Sequence, residues 1–436
     1  MRSSAIRMFM AVGLILLLAN SAYALDIESW KTKNGVKVLF VESHDLPIID
    51  VRLAFKAGSS RDGGQFGVSR LVNALLVEGT GELSAIDIAQ KFESTGAELG
   101  HSSLRDMAWV SLRSLSDKKL WEQTIDLFAR VAALPSFPQD AIDRDRQSML
   151  ISLASREKEI GSVAEDAFFK ELYPGHVYAI GQEGTVEGLK SITRKNLIDF
   201  HAQYYVAENA TLAIVGDLTL DQAKKYANQL TQHLSEGEEA KPIEAAGMPE
   251  KGKVVTIPFK TSQTHIKMGM PLMSRKDPDY FALYVGNHIL GGSGFSSRLM
   301  QEIRENRGLS YSVYSYFIPM EKSGPFQMGL QTKNHQAEEA GKLLQSMLED
   351  FIANGATAEE LEHAQKNITG GFPLKLDSNK KIVEYLSLIG FYHLPMDYLD
   401  SFNDRIMEVT LDDIQDAFAR RVHADKIIRV VVGEPS

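Results

Sequence analysis

The stretch to test for chemistry is Phe66–Thr80 (FGVSRLVNALLVEGT), which by residue content alone is a core helix under a sheet. It reads as a single amphipathic helix, with Val68, Leu71, Val72 and Leu75 recurring as a core stripe and Gly79 where a helix commonly stops. On such a helix positions 70 and 74 share a face and position 73 lies beside them. Imidazoles at the outer two would hold Zn²⁺, and a carboxylate at the third would work on a metal-bound water. The sequence supplies neither: Arg70, Asn73 and Ala74 stand there. Arginine is permanently cationic and cannot ligate a metal, asparagine is no general base, and alanine has no ligand atom. The eleven His are scattered with no pair at metal-ligand spacing, and no nucleophile elbow, phosphate-binding loop or dinucleotide fingerprint occurs.

The segments around this stretch set the frame. Met1–Ala24 has the form of a secretory signal: Arg2 and Arg7, an apolar run from Met8 to Ala19, and a small-x-small cleavage site at Ala22-Tyr23-Ala24. The run is short for a membrane span, so an exported, periplasmic chain beginning near Leu25, with no stable span after cleavage, is the expectation. The net charge of −10 becomes about −12 once two Arg leave with the signal, which argues against nucleic-acid binding. There is no Cys, so an exported chain of this kind must be stabilised by burial rather than by disulfides.

Strand-like runs at 36–41, 48–57 and 107–112 and helical patterns at 84–95, 117–134 (N-cap Ser116), 141–159, 192–204 and 220–234 fill the first half, with a buried strand at 210–216 (ATLAIVG). Residues 235–252 are charged, Gly/Pro-punctuated and poor in apolar side chains, as linkers are. The pattern then restarts: strands at 253–258 and 264–270, a helix at 280–289, a Gly/Ser loop at 291–297, a helix from Arg298, strands at 310–317 and 324–331, helices at 337–353, 358–371 and 411–421, and a closing strand KIIRVVVG that echoes ATLAIVG. Two copies of one α+β unit, 25–234 and 253–436 joined by 235–252, is the natural reading.

Several motifs, in order and at compatible spacing over most of the chain, resemble one family. Gly67, Leu76, Gly79 and Thr80 frame the helix; Gly184-Thr185, Ile192-Thr193, Tyr204-Tyr205 with Asn209, and Ile214-Val215-Gly216-Asp217 follow. Then come Leu290-Gly291-Gly292, Ser297-Arg298-Leu299, Arg304, Gly308-Leu309 and Tyr311-Ser312-Val313. The series is similar to the insulinase/pitrilysin-like metallopeptidases, whose zinc helix reads G-x-x-H-x-x-E-H-x-L-x-x-G-T. Arg70, Asn73 and Ala74 stand at its first His, Glu and second His. The family's third ligand, a Glu after an E-R-E-R-type run, falls near Ile151 or Ser152 when that run is matched to Asp143-Arg144-Asp145-Arg146.

The resemblance implies two homologous domains, each an antiparallel-dominated sheet with helices packed on one face, forming half of a clamshell chamber for unfolded peptides. It implies no zinc in this chain and zinc in a homologous, H-x-x-E-H-bearing partner subunit. Arg304 and Tyr311 match the family's Arg/Tyr pair, whose donors suit a substrate carbonyl or oxyanion in the facing site. Gly291, Gly292 and Gly294 would let a peptide backbone approach closely. Outside that frame Arg304 reads as a solvated helix charge, Tyr311 as a core strand residue, and the glycines as a plain turn. The expectation is a catalytically incomplete subunit of an exported zinc peptidase; its rivals are a peptide-binding scaffold and, with ligands not identified, a self-sufficient peptidase.

Overall fold

The computed structural model describes residues 25–434. Two sheets dominate it. The first runs β1-β2-β8-β3-β7-β6, from β1 (Glu28–Lys31), β2 (Lys37–Glu42), β3 (Ile48–Phe55), β6 (Glu98–Ser103), β7 (Ala108–Leu115) and β8 (Ala210–Gly216). The second runs β11-β12-β10-β13-β9, from β9 (Lys253–Pro258), β10 (Gln263–Met273), β11 (Val313–Phe317), β12 (Gly324–Lys333) and β13 (Ile428–Gly433). A two-stranded ribbon joins β4 (Gly79–Thr80) to β5 (Leu83–Ser84). With β1 set aside, each large sheet takes its strands in the same sequential order, and each has one parallel pair, β2 with β8 and β13 with β9. The remaining pairs are antiparallel. The repeat expected from ATLAIVG and KIIRVVVG is therefore a repeat of topology: these are β8 and the end of β13.

Strands buried on both faces read as continuous apolar runs rather than alternations. β8 is buried along its whole length, and in β2 successive residues serve two different cores. Val38 and Phe40 face the helices of the first half, while Leu39 and Val41 join the core of the second. The helix that covers this other face is Asn379–Tyr392, from the second half, which lies across β8 and β3. Gly390 makes its close approach possible, since a Cβ there would stand 2.3 Å from Thr211 Cγ2 and 2.7 Å from Leu39 Cδ1. The first half returns a helix. Ile160–Leu172 lies on β13 and β10, packing Ala164, Phe168, Phe169 and Leu172 against Ile428, Val430 and Val432. Each half thus completes its core with a helix from the other.

Asp106, on the β6–β7 turn and 3% exposed, ties the same junction. Tyr178 Oη donates to its Oδ1 at 2.8 Å, and Tyr392 Oη (2.8 Å) and the Glu321 amide (2.7 Å) donate to its Oδ2.

Several elements depart from the sequence reading. The helix of the opening stretch spans only Val68–Leu75. Gly79 and Thr80 instead pair as β4, with Thr80 Oγ1 bonding the Leu134 carbonyl at 2.9 Å. The N-cap of Lys118–Ala133 is Asp117, whose carboxylate accepts from the Lys119 and Leu120 amides; the Ser116 hydroxyl goes to Asp217. The pattern read as one helix from 141 to 159 is Gln139–Arg156, after which the exchanged helix begins at Ile160.

Candidate functional site

Helix Val68–Leu75 is fixed at its N-terminus by Asp62, which accepts from the Gly67 amide at 2.7 Å and the Ser69 amide at 3.1 Å. Burial pushes this carboxyl up to about 6, against the pull of those amides. The helix packs on Gln139–Arg156, which carries the third motif position, and on β6, the free edge of the first sheet.

The motif side chains are committed elsewhere. Arg70 Nη1 pairs with Glu183 Oε1 at 3.1 Å. Asn73 is 2% exposed; its Nδ2 donates to the Trp109 carbonyl at 3.2 Å, and its Oδ1 lies 3.2 Å from Nδ1 of His101 on β6. Burial holds the His101 pKa below the usual imidazole value, so a neutral ring donating Nδ1–H to Asn73 fits this geometry. Ile151 is 61% exposed and Ser152 is exposed as well. The nearby acids Glu78 and Asp145 are both held by Arg144, at 2.7 and 3.0 Å. Among the described residues no group of three or more His, Asp or Glu is arranged to hold a metal ion. A guanidinium, a buried amide and a methyl group do not fit zinc, and the site is catalytically incomplete.

In the second half, helix Tyr280–Asn287 occupies the place of Val68–Leu75 and widens into a π-type turn at His288–Gly292. Asn287 ends it as Asn73 nearly ends its counterpart, and Asn287 Nδ2 likewise donates to a strand carbonyl, that of Ser315, at 3.2 Å. Gly291 is buried against β11, where a Cβ would stand 2.6 Å from the Ser315 nitrogen, so its lack of a side chain is required by the strand. Gly292 and Gly294 are exposed, and Gly294 has φ +65. All three line a groove of about 530 Å³ along the free edge of β11.

Arg304 lies in the wide helical turn Met300–Asn306. The positive φ of Gly308 (+60) and the bond from the Leu309 amide to the Ile303 carbonyl (2.9 Å) turn the chain back, bringing Tyr311 beside Arg304. The guanidinium carbon lies 4.7 Å from the Tyr311 ring and 4.8 Å from the Phe295 ring. Tyr311 precedes β11 and is 83% exposed, so it is no core residue, and Phe295 is 71% exposed. Arg304 is mostly covered by the two rings, and its ion pair is a 3.4 Å contact with Glu305. Phe295 was not singled out from the sequence; a large apolar residue inside the Gly/Ser run 291–297 was the signal available. Arg298 of the same region is structural, since it holds Glu360 through Nε and Nη2 and the Gly355 carbonyl at 2.9 Å. The Arg304–Tyr311 group and the Arg70–Asn73 group share no hydrogen bond, ion pair or ring contact among the described residues.

Two family models match the chain: "Insulinase (Peptidase family M16)" over residues 37–183 and "Peptidase M16 inactive domain" over residues 191–368. The crystal structure of a peptidase M16 inactive domain from Pseudomonas fluorescens is 40% identical, with a TM-score of 0.91 over 94% of this chain and 99% of that one. A non-peptidase homolog, YmxG, of Helicobacter pylori is 28% identical over 87% of this chain and 88% of its own length. An uncharacterized zinc protease of Streptomyces coelicolor is 26% identical over 84% of this chain and 80% of its own.

Proposed function

The chain belongs to the insulinase family of peptidases, family M16, and we propose that it is the zinc-less subunit of an exported peptidase pair. In this reading a homologue bearing H-x-x-E-H and its zinc supplies the metal chemistry, and this chain supplies donors to the substrate. The observation that carries it is the Arg304–Tyr311 pair: a half-buried cation held between the rings of Phe295 and the exposed phenol of Tyr311, beside a groove open along a strand edge. An extended peptide satisfies its backbone on such an edge with little sequence demand. The guanidinium and the phenol hydroxyl are donors for the scissile carbonyl as its oxygen gains charge. Export rests on the Met1–Ala24 pattern, which lies outside the described residues.

Co-expression with a zinc-bearing homologue tests this. Peptide cleavage is expected only when both chains are present. Tyr311→Phe and Arg304→Ala complexes should assemble and melt like wild type while kcat falls by roughly 10²–10³, as for removal of an oxyanion donor. Wild-type rates in both variants would overturn the reading and leave a peptide-binding scaffold; full activity of the partner alone would overturn it too.

A further inference from the structure

A second cavity, of about 370 Å³, adjoins the β11 groove and shares Arg275, Tyr280 and Tyr284 with it. Its polar lining is dominated by donors: Arg275, Lys375 and the phenols of Tyr280, Tyr284, Tyr385 and Tyr398. Neither cation has a carboxylate partner among the described residues. Lys375 Nζ reaches the Tyr284 hydroxyl at 3.3 Å, and the Arg275 guanidinium lies 5.4 Å from the Tyr392 ring with its buried Nε unbonded. The one acid in the lining, Glu384, is held by Arg52 at 2.8 Å. Tyr280 and Tyr284 stack with 6° between their planes and line both cavity and groove.

We propose that this cavity is a carboxylate site, and that it takes the C-terminal carboxylate of a peptide lying in the β11 groove. Two unpaired cations and a set of phenol hydroxyls complement an oxyanion, whose charge-assisted bonds are stronger and shorter than neutral ones. Continuity with the groove selects a chain end over a free small acid. Arg275 lines both groove and cavity and meets the chain end as it leaves the groove, and the exposed Lys375, which lines the cavity alone, grips the carboxylate beyond it.

The purified mature chain, without any partner, is sufficient for the test, so its outcome is separate from that of the subunit pairing. An N-terminally labelled heptapeptide of alternating Ala and Val is titrated by fluorescence anisotropy, once as the free acid and once as the C-terminal amide. The free acid is expected to bind about tenfold more tightly. Lys375→Gln should bring the acid to the level of the amide without changing the amide's Kd or the melting temperature. Sodium acetate, against chloride of matched ionic strength, should displace the acid and not the amide. Equal binding of acid and amide by the wild-type chain overturns the site, as does an acid preference that survives in Lys375→Gln. Acetate binding without any peptide preference overturns the assignment to a chain end.

Discussion

At the scale of single residues, the positions that carry zinc chemistry elsewhere in the family have become structural to different degrees. Asn73 is buried, its Nδ2 donating to the Trp109 carbonyl and the Tyr205 hydroxyl and its Oδ1 facing His101. Asn73→Ala strands these partners and should lower stability by about 1–3 kcal/mol in urea denaturation. Arg70 keeps 39% of its side chain exposed, and its pair with Glu183 is partly solvated. Arg70→Ala should cost less than about 1 kcal/mol. The reverse order would mean that the ion pair to the turn at Glu183, not the amide's bonds to the sheet, anchors the helix. That Arg70, Asn73 and Ala74 cannot serve as the helix's zinc ligands and base was legible in the sequence, because it depends only on which atoms the side chains possess. What they bond to instead was not, because Glu183 and His101 are 113 and 28 positions away from their partners. Restoring the ligands therefore needs more than the helix: Arg70→His with Ala74→His should retain no stoichiometric zinc after dialysis. The third position offers only Ile151 and Ser152, and metal retained by that double variant would show a ligand elsewhere.

At the scale of elements, helix Val68–Leu75 owes its entry to a buried acid, and that acid makes its stability depend on pH. The folded-state pKa of Asp62 is raised to about 6 by burial, above the roughly 3.9 of an unfolded aspartate. Its favourable contribution is full below about pH 4 and is lost as pH rises through about 6. Asp62→Asn cannot ionise, so the wild type should lose stability relative to this variant across that window, as followed by thermal melts. A constant difference from pH 4 to 7 would mean that Asp62 titrates normally. Amphipathic helices and β-branched strands were legible wherever one face meets a core. Strand β6 (ELGHSS) and helices Ile160–Leu172 and Asn379–Tyr392 were not. The strand is an edge with no apolar alternation. The helices bury side chains against the other half's sheet, so their pattern answers to a surface more than a hundred residues away. The pairing of Arg304 with Tyr311 was legible from motif spacing, but Phe295 was not, since nothing in a Gly/Ser run says which way its one aromatic side chain turns.

At the scale of the molecule, the two copies of the fold are not two independent domains, because each lacks a piece of its own core. Without Asn379–Tyr392, the sheet of the first half exposes Leu39, Val41, Ala213 and Val215 on one face. Without Ile160–Leu172, β13 exposes Ile428, Val430 and Val432. Aliphatic side chains of this size contribute roughly 1.5–3 kcal/mol each on full burial, and a domain's net stability is only about 5–15 kcal/mol, so neither half can spare its helix. Asp106 adds a second lock, since truncating it to Ala leaves the buried phenol of Tyr178, the half-buried phenol of Tyr392 and the Glu321 amide without an acceptor. The intact chain is therefore expected to unfold in one calorimetric transition despite its internal repeat. A fragment of residues 25–234 should be aggregation-prone or dye-binding when made alone, and should gain native near-ultraviolet circular dichroism when co-expressed with 253–436. A break introduced between 235 and 252, where the backbone forms no strand or helix, should leave the halves associated on size exclusion in native buffer. Two well-separated transitions, or a soluble and cooperatively folded 25–234 fragment, would show that the exchanged helices only decorate the sheets. That outcome would make each half a self-sufficient domain, free to change its angle to the other, whereas the exchange holds the two halves together as one body.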